Sequence, residues 1–387
     1  MILLPISLLL LIPYSILIIY YRQSGLQLKI FGNTEENLQE NTTSISVIIA
    51  ARNEEKNIGL CIESILKQTY PAHLFEIIIV DDHSIDSTAA IASSFNKNNI
   101  IVIKLDELEG NKNLNSYKKK AIETAIGLAK GSLIVTTDAD CIVEPKWLTT
   151  LASYYESTGS VFIAAPVAYA DSLPGESVFK KIFKIFQSLD FMALQGITGA
   201  SVYKKIHNMC NGANLAYEKS AFYEVNGFEG IDNIASGDDM LLMHKIEKKY
   251  PGKIGYIKST NVIVQTQPSE SLKEFINQRI RWASKADRYP DIKITVVLFL
   301  VYFLNAWIFF IAIYSCFYPT CFYLLLLLIT VKTIAELFFL FPVAKFFGKQ
   351  KLLWWFIPSQ PFHIIYTLIA GWLGKFGSYT WKERSVK

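Results

Sequence analysis

Two stretches without a single charge do most to limit what this chain can fold into. Leu3–Tyr21 carries none before Arg22 and Lys29, and Ile294–Val331 carries none over the length of one bilayer crossing and most of a second. A helix needs about 20 apolar residues to cross the hydrocarbon core. The chain has no basic segment ahead of the first stretch and no small-residue cleavage site after it, so residues 1–21 read as a retained transmembrane helix rather than a signal peptide. A C-terminal membrane region is expected over 292–387, with Pro319 turning the chain between two spans. In the second span, Thr320–Ala344, Lys332 and Glu336 lie four apart and would pair on one helix face. Leu352–Leu373 is apolar but broken by Pro358, Pro361 and His363. It reads as a re-entrant or interfacial segment that keeps the basic tail (Lys375, Lys382, Arg384 and Lys387) inside. Arg22 and Lys29 after the first span, and Lys345, Lys349 and Lys351 after the third apolar run, place the intervening chain in the cytoplasm of a bacterial inner membrane.

Composition narrows the options further. Charged residues are 19% of the 387, below the ~25% usual in soluble domains. A net charge of +4 without a dense basic patch argues against nucleic acid as a partner. The cysteines, Cys61, Cys141, Cys210, Cys316 and Cys321, have no CxxC spacing, so neither a zinc ribbon nor a disulfide scaffold is expected.

Residues 22–44 are polar and read as a linker, and from 45 to 288 the pattern becomes α/β. Ser46–Ala50, Glu76–Val80, Ile100–Leu105 and Ser132–Thr137 are short apolar runs rich in β-branched residues. Between them, Ile58, Cys61, Ile62, Ile65 and Leu66, and later Ala121, Ile122, Ala125, Ile126 and Ala129, recur at helical spacing. Fully apolar strands alternating with amphipathic helices predict a mostly parallel sheet covered on both faces, with ligands at the carboxyl ends of its strands. Asp81-Asp82 and Asp138-Ala139-Asp140 fall at such ends. Two carboxylates two residues apart offer hard oxygens to Mg²⁺ or Mn²⁺, shared with substrate phosphates. Asp238-Asp239 opens a later helix, where a cap is the ordinary role of an acidic pair. Gln278, Arg281 and Trp282 share a face of another helix, suited to phosphate and sugar or to an interfacial anchor.

In order, SVIIAARNEE, VDDHSID, TTDADC, NGANLAYEKSAFYEVNGF, SGDDMLL and QRIRW resemble the motifs of membrane-bound family 2 glycosyltransferases, with a core similar to cellulose and hyaluronan synthases. The likeness covers Ser46 to Trp282. It implies a GT-A nucleotide-sugar-binding domain with flanking transmembrane helices, and an inverting, metal-dependent transfer. The donor would be a nucleotide-sugar, UDP-linked, and the acceptor a lipid-linked or other glycan at the membrane lipids. Ala50, Arg52 and Glu54, with Asp81 or Asp82, would cradle the nucleotide, and Lys119 or Lys120 would lie near it. Asp138 and Asp140 would bind metal and diphosphate, and Asp239, next to Asp238, would be the base. Asn214 and the QRIRW residues Gln278, Arg279, Arg281 and Trp282 would close the diphosphate and acceptor site. A processive polysaccharide synthase is the alternative product class, and a non-catalytic nucleotide-sugar-binding scaffold a remoter one.

One further segment, Val178–Ala193, places Phe179, Ile182, Phe183, Phe186 and Leu189 on one helical face, with Lys180, Lys181, Lys184 and Gln187 on the others. It is expected to lie in the membrane interface, apolar face down.

Overall fold

The computed structural model describes residues 2–32, 42–109, 116–172, 175–232, 234, 237–285, 291–377, 379–381 and 384–386. The middle of the expected linker, most of the insertion before the lysine triplet, Ser236, Lys382 and Lys387 therefore lie outside the described residues.

The chain begins with α1 (Leu3–Gln27) and then β1 (Ile45–Ala51), α2 (Ile58–Leu66), β2 (Phe75–Asp81), α3 (Thr88–Ser94) and β3 (Ile100–Lys104). Next come α4 (Leu105–Glu109), α5 (Tyr117–Leu128), β4 (Leu133–Asp138), α6 (Trp147–Thr158), β5 (Phe162–Ala164) and β6 (Val167–Tyr169). A long α7 (Val178–Lys204) precedes β7 (Leu215–Glu218), α8 (Lys219–Glu224), α9 (Met240–Lys249), β8 (Ile254–Tyr256) and β9 (Val264–Thr266). Four helices follow: α10 (Leu272–Ala283), α11 (Ile292–Phe317), α12 (Phe322–Phe346) and α13 (Phe356–Phe376).

These elements form two compact units. One comprises Lys29–Ala170 and Asn208–Gln267 and is built on a seven-stranded sheet of order β3-β2-β1-β4-β7-β5-β8. All its neighbouring strands pair in parallel except at β7, which runs antiparallel to β4 and β5. Val47, Ile48 and Ile49 of β1, Ile77 to Val80 of β2 and Leu133 to Val135 of β4 are all buried, as strands covered on both faces must be. The apolar runs are continuous for that reason. Gly131, between α5 and β4, passes so close to β1 that a Cβ there would fall 2.4 Å from the Ser46 amide nitrogen. Only glycine fits.

The other unit comprises Met1–Leu28, Asp171–His207 and Pro268–Lys387. Three of its helices are long and apolar enough to cross a membrane: Leu3–Gln27, Ile292–Phe317 and Pro319–Phe346. Buried Ser7, Leu11, Tyr14, Ile18 and Tyr21 recur along α1 at spacings of three and four, which makes one packed seam of an otherwise apolar helix. The Lys332–Glu336 pair forms, with 2.8 Å between Nζ and Oε1. Lys332 also donates to Gln360 Oε1 at 2.8 Å, Gln360 donates back to Glu336 Oε2 at 2.7 Å, and Tyr14 donates to Glu336. The charges are thus satisfied among α1, α12 and α13.

The structure departs from the sequence reading in two places. The expected single domain over 45–288 divides, because 171–207 and 268 onward cluster with the apolar helices. The segment 178–193 is the first part of a longer helix whose expected lipid face is largely internal: Phe186 and Leu189 are buried, and Phe183 and Phe186 pack with Phe275, Phe362 and Tyr366. Two of its expected polar residues are buried as well. Lys184 pairs with Glu176 at 2.5 Å, and Gln187 exchanges bonds with Ser269 at 2.8 and 2.9 Å. Sequence periodicity could not show these partners, which are supplied by chain outside the helix. Val178 and Phe179 alone remain strongly exposed at its start.

Candidate active site

β1 sits between β2 and β4, and this puts the acidic clusters side by side. In register, Ala51 pairs with Asp81 on one side and Ala50 with Asp138 on the other. The strand order reverses direction between β1 and β4, the place where open α/β sheets bind ligands.

The loops leaving β1 and β2 are stitched to each other. Asn53 N donates to Ser84 Oγ at 2.9 Å, Ile85 N to Asn53 Oδ1 at 3.0 Å, Glu54 N to Thr88 Oγ1 at 2.7 Å and Glu55 N to Asp86 Oδ2 at 3.1 Å. Asn53 and His83 both take left-handed backbone angles, φ 51° and 55°, which the stitching holds in place. Arg52 donates to the Asp82 carbonyl at 2.8 Å, and the Asp82 carboxylate contacts His83 Nδ1 at 3.0 Å. Glu54 accepts from Asn57 at 2.8 Å at the entrance of α2. Asp81 differs from its neighbour. Its Oδ2 accepts from the Ser84 amide at 3.2 Å, while Oδ1 is buried without a partner. Burial pushes the Asp81 carboxyl up from the usual aspartate range, with the Ser84 hydroxyl and amide pulling the other way. An orphaned buried acceptor at a strand end is a place for a ligand N–H.

At the other end of the cradle, Asp138 and Asp140 are half-buried. Asp140 Oδ2 accepts from Thr266 Oγ1 at 2.9 Å. Asp138 Oδ1 accepts from Lys118 Nζ at 2.7 Å, and the same ammonium lies 3.1 Å from Asp238 Oδ2. Burial opposes the charge on Lys118, but Asp138 and Asp238 outweigh it and hold the ammonium above the ordinary lysine range. Asp239 caps α9: Oδ1 accepts from the Met240 amide at 2.7 Å, and Oδ2 from the Gly212 amide at 3.2 Å. A side chain at 212 would stand 3.4 Å from Asp238 Oδ2, so the Asn-Gly-Ala-Asn loop lies directly against the acidic pair.

The donor set bears on a metal. Asp138 and Asp140 offer carboxylate oxygens of the kind Mg²⁺ and Mn²⁺ take, while burial and these two carboxylates push the Cys61 and Cys141 thiols up, away from thiolate ligation. Among the described residues no three His, Cys, Asp or Glu side chains converge into a cage. The residues fit an ion shared with a substrate's phosphates rather than one enclosed by protein.

Three residues named from the sequence belong elsewhere. Lys120 lies on the far side of its helix turn, 3.5 Å from Glu123, and Lys119 is buried, donating to the Ile231 and Ile234 carbonyls at 2.6 Å each. Lys118 is the lysine at the site. Asn214 is fully buried: it donates to the Pro166 and Val262 carbonyls at 2.7 Å each and accepts from Trp147 Nε1 at 3.0 Å. Its work is to hold β7 in the fold. Arg279 is buried in an ion pair with Asp190 at 2.6 Å and so faces inward, unlike Gln278, Arg281 and Trp282, which are half-buried. These four belong to the unit of apolar helices.

Residues 46–225 match the family model described as glycosyl transferase family 2. The chain carries a family 2 glycosyl transferase domain. This domain is similar to the glycosyltransferase AglE of Haloferax volcanii, 32% identical over 127 residues that make up 32% of this chain and 40% of that protein. It is also similar to the dodecaprenyl-phosphate galacturonate synthase of Rhizobium johnstonii, 30% identical over 114 residues, 29% of this chain and 32% of the other. The chain thus spans less than half the length of either relative. Among solved structures, the mannosyltransferase PcManGT from Pyrobaculum calidifontis, in complex with GDP-Man and Mn²⁺, aligns over 97% of this chain and 99% of its own, with 16% identity and a TM-score of 0.55. That likeness establishes the GT-A type of fold for the family 2 domain.

Proposed function

We propose that the protein transfers a sugar, with inversion, from a UDP-linked nucleotide-sugar to a lipid-linked acceptor at the cytoplasmic face of a membrane. The observation that carries this reading is the single run of charge from Asp81 through Asp138 and Lys118 to Asp238 and Asp239, laid across the strand ends where a nucleotide diphosphate would lie. The dodecaprenyl-phosphate substrate in a relative's name and the three apolar helices favour a lipid-linked acceptor.

In this reading the unpartnered oxygen of Asp81 accepts from the base, and the stitched loops of Arg52 to Glu55 and Asp82 to Thr88 shape the pocket around it. Asp138 and Asp140 would hold a divalent cation, which when bound neutralises charge on the leaving diphosphate. Lys118 adds a fixed positive charge beside Asp138. Asp239 takes the proton of the acceptor hydroxyl as its oxygen attacks the anomeric carbon and the bond to the diphosphate breaks, a contribution of about 10²–10⁴-fold. Gln278, Arg281 and Trp282 act on the diphosphate and acceptor. No second carboxylate is assigned as a nucleophile, so one displacement and inversion follow.

The test is a screen of nucleotide-sugars with Mn²⁺ and detergent-solubilised full chain, reading nucleoside diphosphate release and thermal stabilisation. UDP-sugars should be preferred. No release from any donor, with or without polyprenyl phosphate acceptors, would sink the reading. The motif QRIRW favours processive synthesis as a second product class, and product length by mass spectrometry separates one transfer from many.

A further inference from the structure

Within QRIRW the most firmly held side chain is Arg279, which is 4% exposed. Its Nε and Nη2 both donate to Asp190 Oδ2, at 3.0 and 2.6 Å, and its Nη1 donates to Gln278 Oε1 at 2.7 Å. The guanidinium lies over the rings of Phe275 and Trp282, 4.4 and 4.3 Å from their centroids. Asp190, on α7, is itself buried, and its other oxygen accepts from Tyr366 of α13. One carboxylate therefore ties three helices together and reaches, through one guanidinium, two residues of the motif.

We infer that Asp190 is a positioning residue for sugar transfer, fixing the Gln278 amide and the Trp282 ring by way of Arg279. This rests on the reading that Gln278, Arg281 and Trp282 act on the diphosphate and acceptor. A glutamine amide can be turned over by half a revolution with little change in shape, exchanging its acceptor and its donors. The bond from Arg279 selects one setting: Oε1 toward the guanidinium, and the amide N–H groups toward the other side, where phosphate or hydroxyl oxygens can accept. Arg279 can do this only while Asp190 holds its fork, because the two bonds to Asp190 fix the plane from which Nη1 projects. Packing alone would not need the ions, since a buried pair is often replaceable by apolar residues without loss of stability. What the pair adds is direction.

The experiment measures kcat, donor KM and melting temperature of the full chain in detergent for Asp190→Asn, Tyr366→Phe and Gln278→Ala, and for each of the first two combined with Gln278→Ala. Asp190→Asn should lower kcat by about 10–100-fold with donor KM changed only a few-fold, the cost of a displaced positioning group. In the Gln278→Ala background the same change should add little, because its route of action is gone. Should Asp190→Asn leave the buried guanidinium too poorly paired for folding, Tyr366→Phe decides. It removes one hydrogen bond and keeps the ion pair, and its smaller kcat loss should also vanish in the Gln278→Ala background. Losses that multiply with Gln278→Ala, or a lowered melting temperature with kcat unchanged, overturn the inference and leave the transferase reading standing. If Gln278→Ala itself transfers like wild type, the assigned role of the motif falls, and the inference with it.

Discussion

Lys118 Nζ stands 2.7 Å from Asp138 Oδ1, joining the strand-end carboxylate of β4 to the acidic pair that opens α9. The nucleotide side and the base side of the family 2 domain are therefore coupled electrostatically before any substrate arrives.

Removing that ammonium should be costly. Lys118→Gln leaves Asp138 and Asp238 without their shared cation, and transfer should fall about 10²-fold, the scale for losing one electrostatic partner of a developing charge. Lys120→Gln, on the exposed side, should stay within a few-fold of wild type. Steady-state rates of the two variants side by side decide it, and equal rates would count against the assignment.

Asp239→Asn keeps the cap on α9, since an asparagine oxygen still accepts from the Met240 amide, but it cannot take a proton. Donor binding should stay near wild type and transfer should drop by about 10² or more. A mild Asp239→Asn beside a crippled Asp238→Asn would exchange the two roles.

Asp81 gives a pH-dependent prediction. Its carboxyl is raised on folding, so its favourable contribution is complete below the ordinary aspartate range near ~3.9 and is lost as pH climbs through the raised value. Above that point the ion is buried with one oxygen unpartnered. Asp81→Asn should therefore leave the donor-free protein as stable as wild type or more so at neutral pH, while weakening nucleotide binding. Melting curves with and without UDP measure both; a loss of stability in the absence of UDP would contradict the account.

Asn214→Ala should behave in the opposite way. It strands the Trp147 indole N–H and two carbonyls in the core, each costing about 1–3 kcal/mol, and so should lower the stability of the domain. Denaturant unfolding of the detergent-solubilised chain should show the loss, and an unchanged midpoint would contradict it.

The contrast between Asn214 and Asp239 shows where reading the sequence stopped. Strands were legible because burial on both faces leaves runs such as Val47–Ile49 with no polar residue to confuse the period. The ends of those strands were legible too, since the acidic pairs interrupt the runs abruptly. The three lysines 118–120 were not. Successive helical residues point about 100° apart, and only the helix start at Tyr117 sets which one turns to Asp138 and which is drawn under the Ile231 and Ile234 carbonyls. Asn214 was misplaced because a buried amide and a ligand-binding amide look alike until the carbonyls around it are known. The face of α7 failed for the same reason. Lys184 and Gln187 count as polar in any periodicity, yet Glu176 and Ser269 take them inside.

The buried set of Tyr14, Lys332, Glu336 and Gln360 also bears on how the chain enters its membrane. A charge at the centre of an inserting helix costs about 2.5–3.5 kcal/mol on translocon scales, and α12 carries two. Synthesis delivers α1 first, so Tyr14 is already in the bilayer when α12 emerges, while Gln360 follows only with α13. Insertion of α12 is in this way a cooperative step rather than a solitary one, completed against an earlier helix and sealed by a later one.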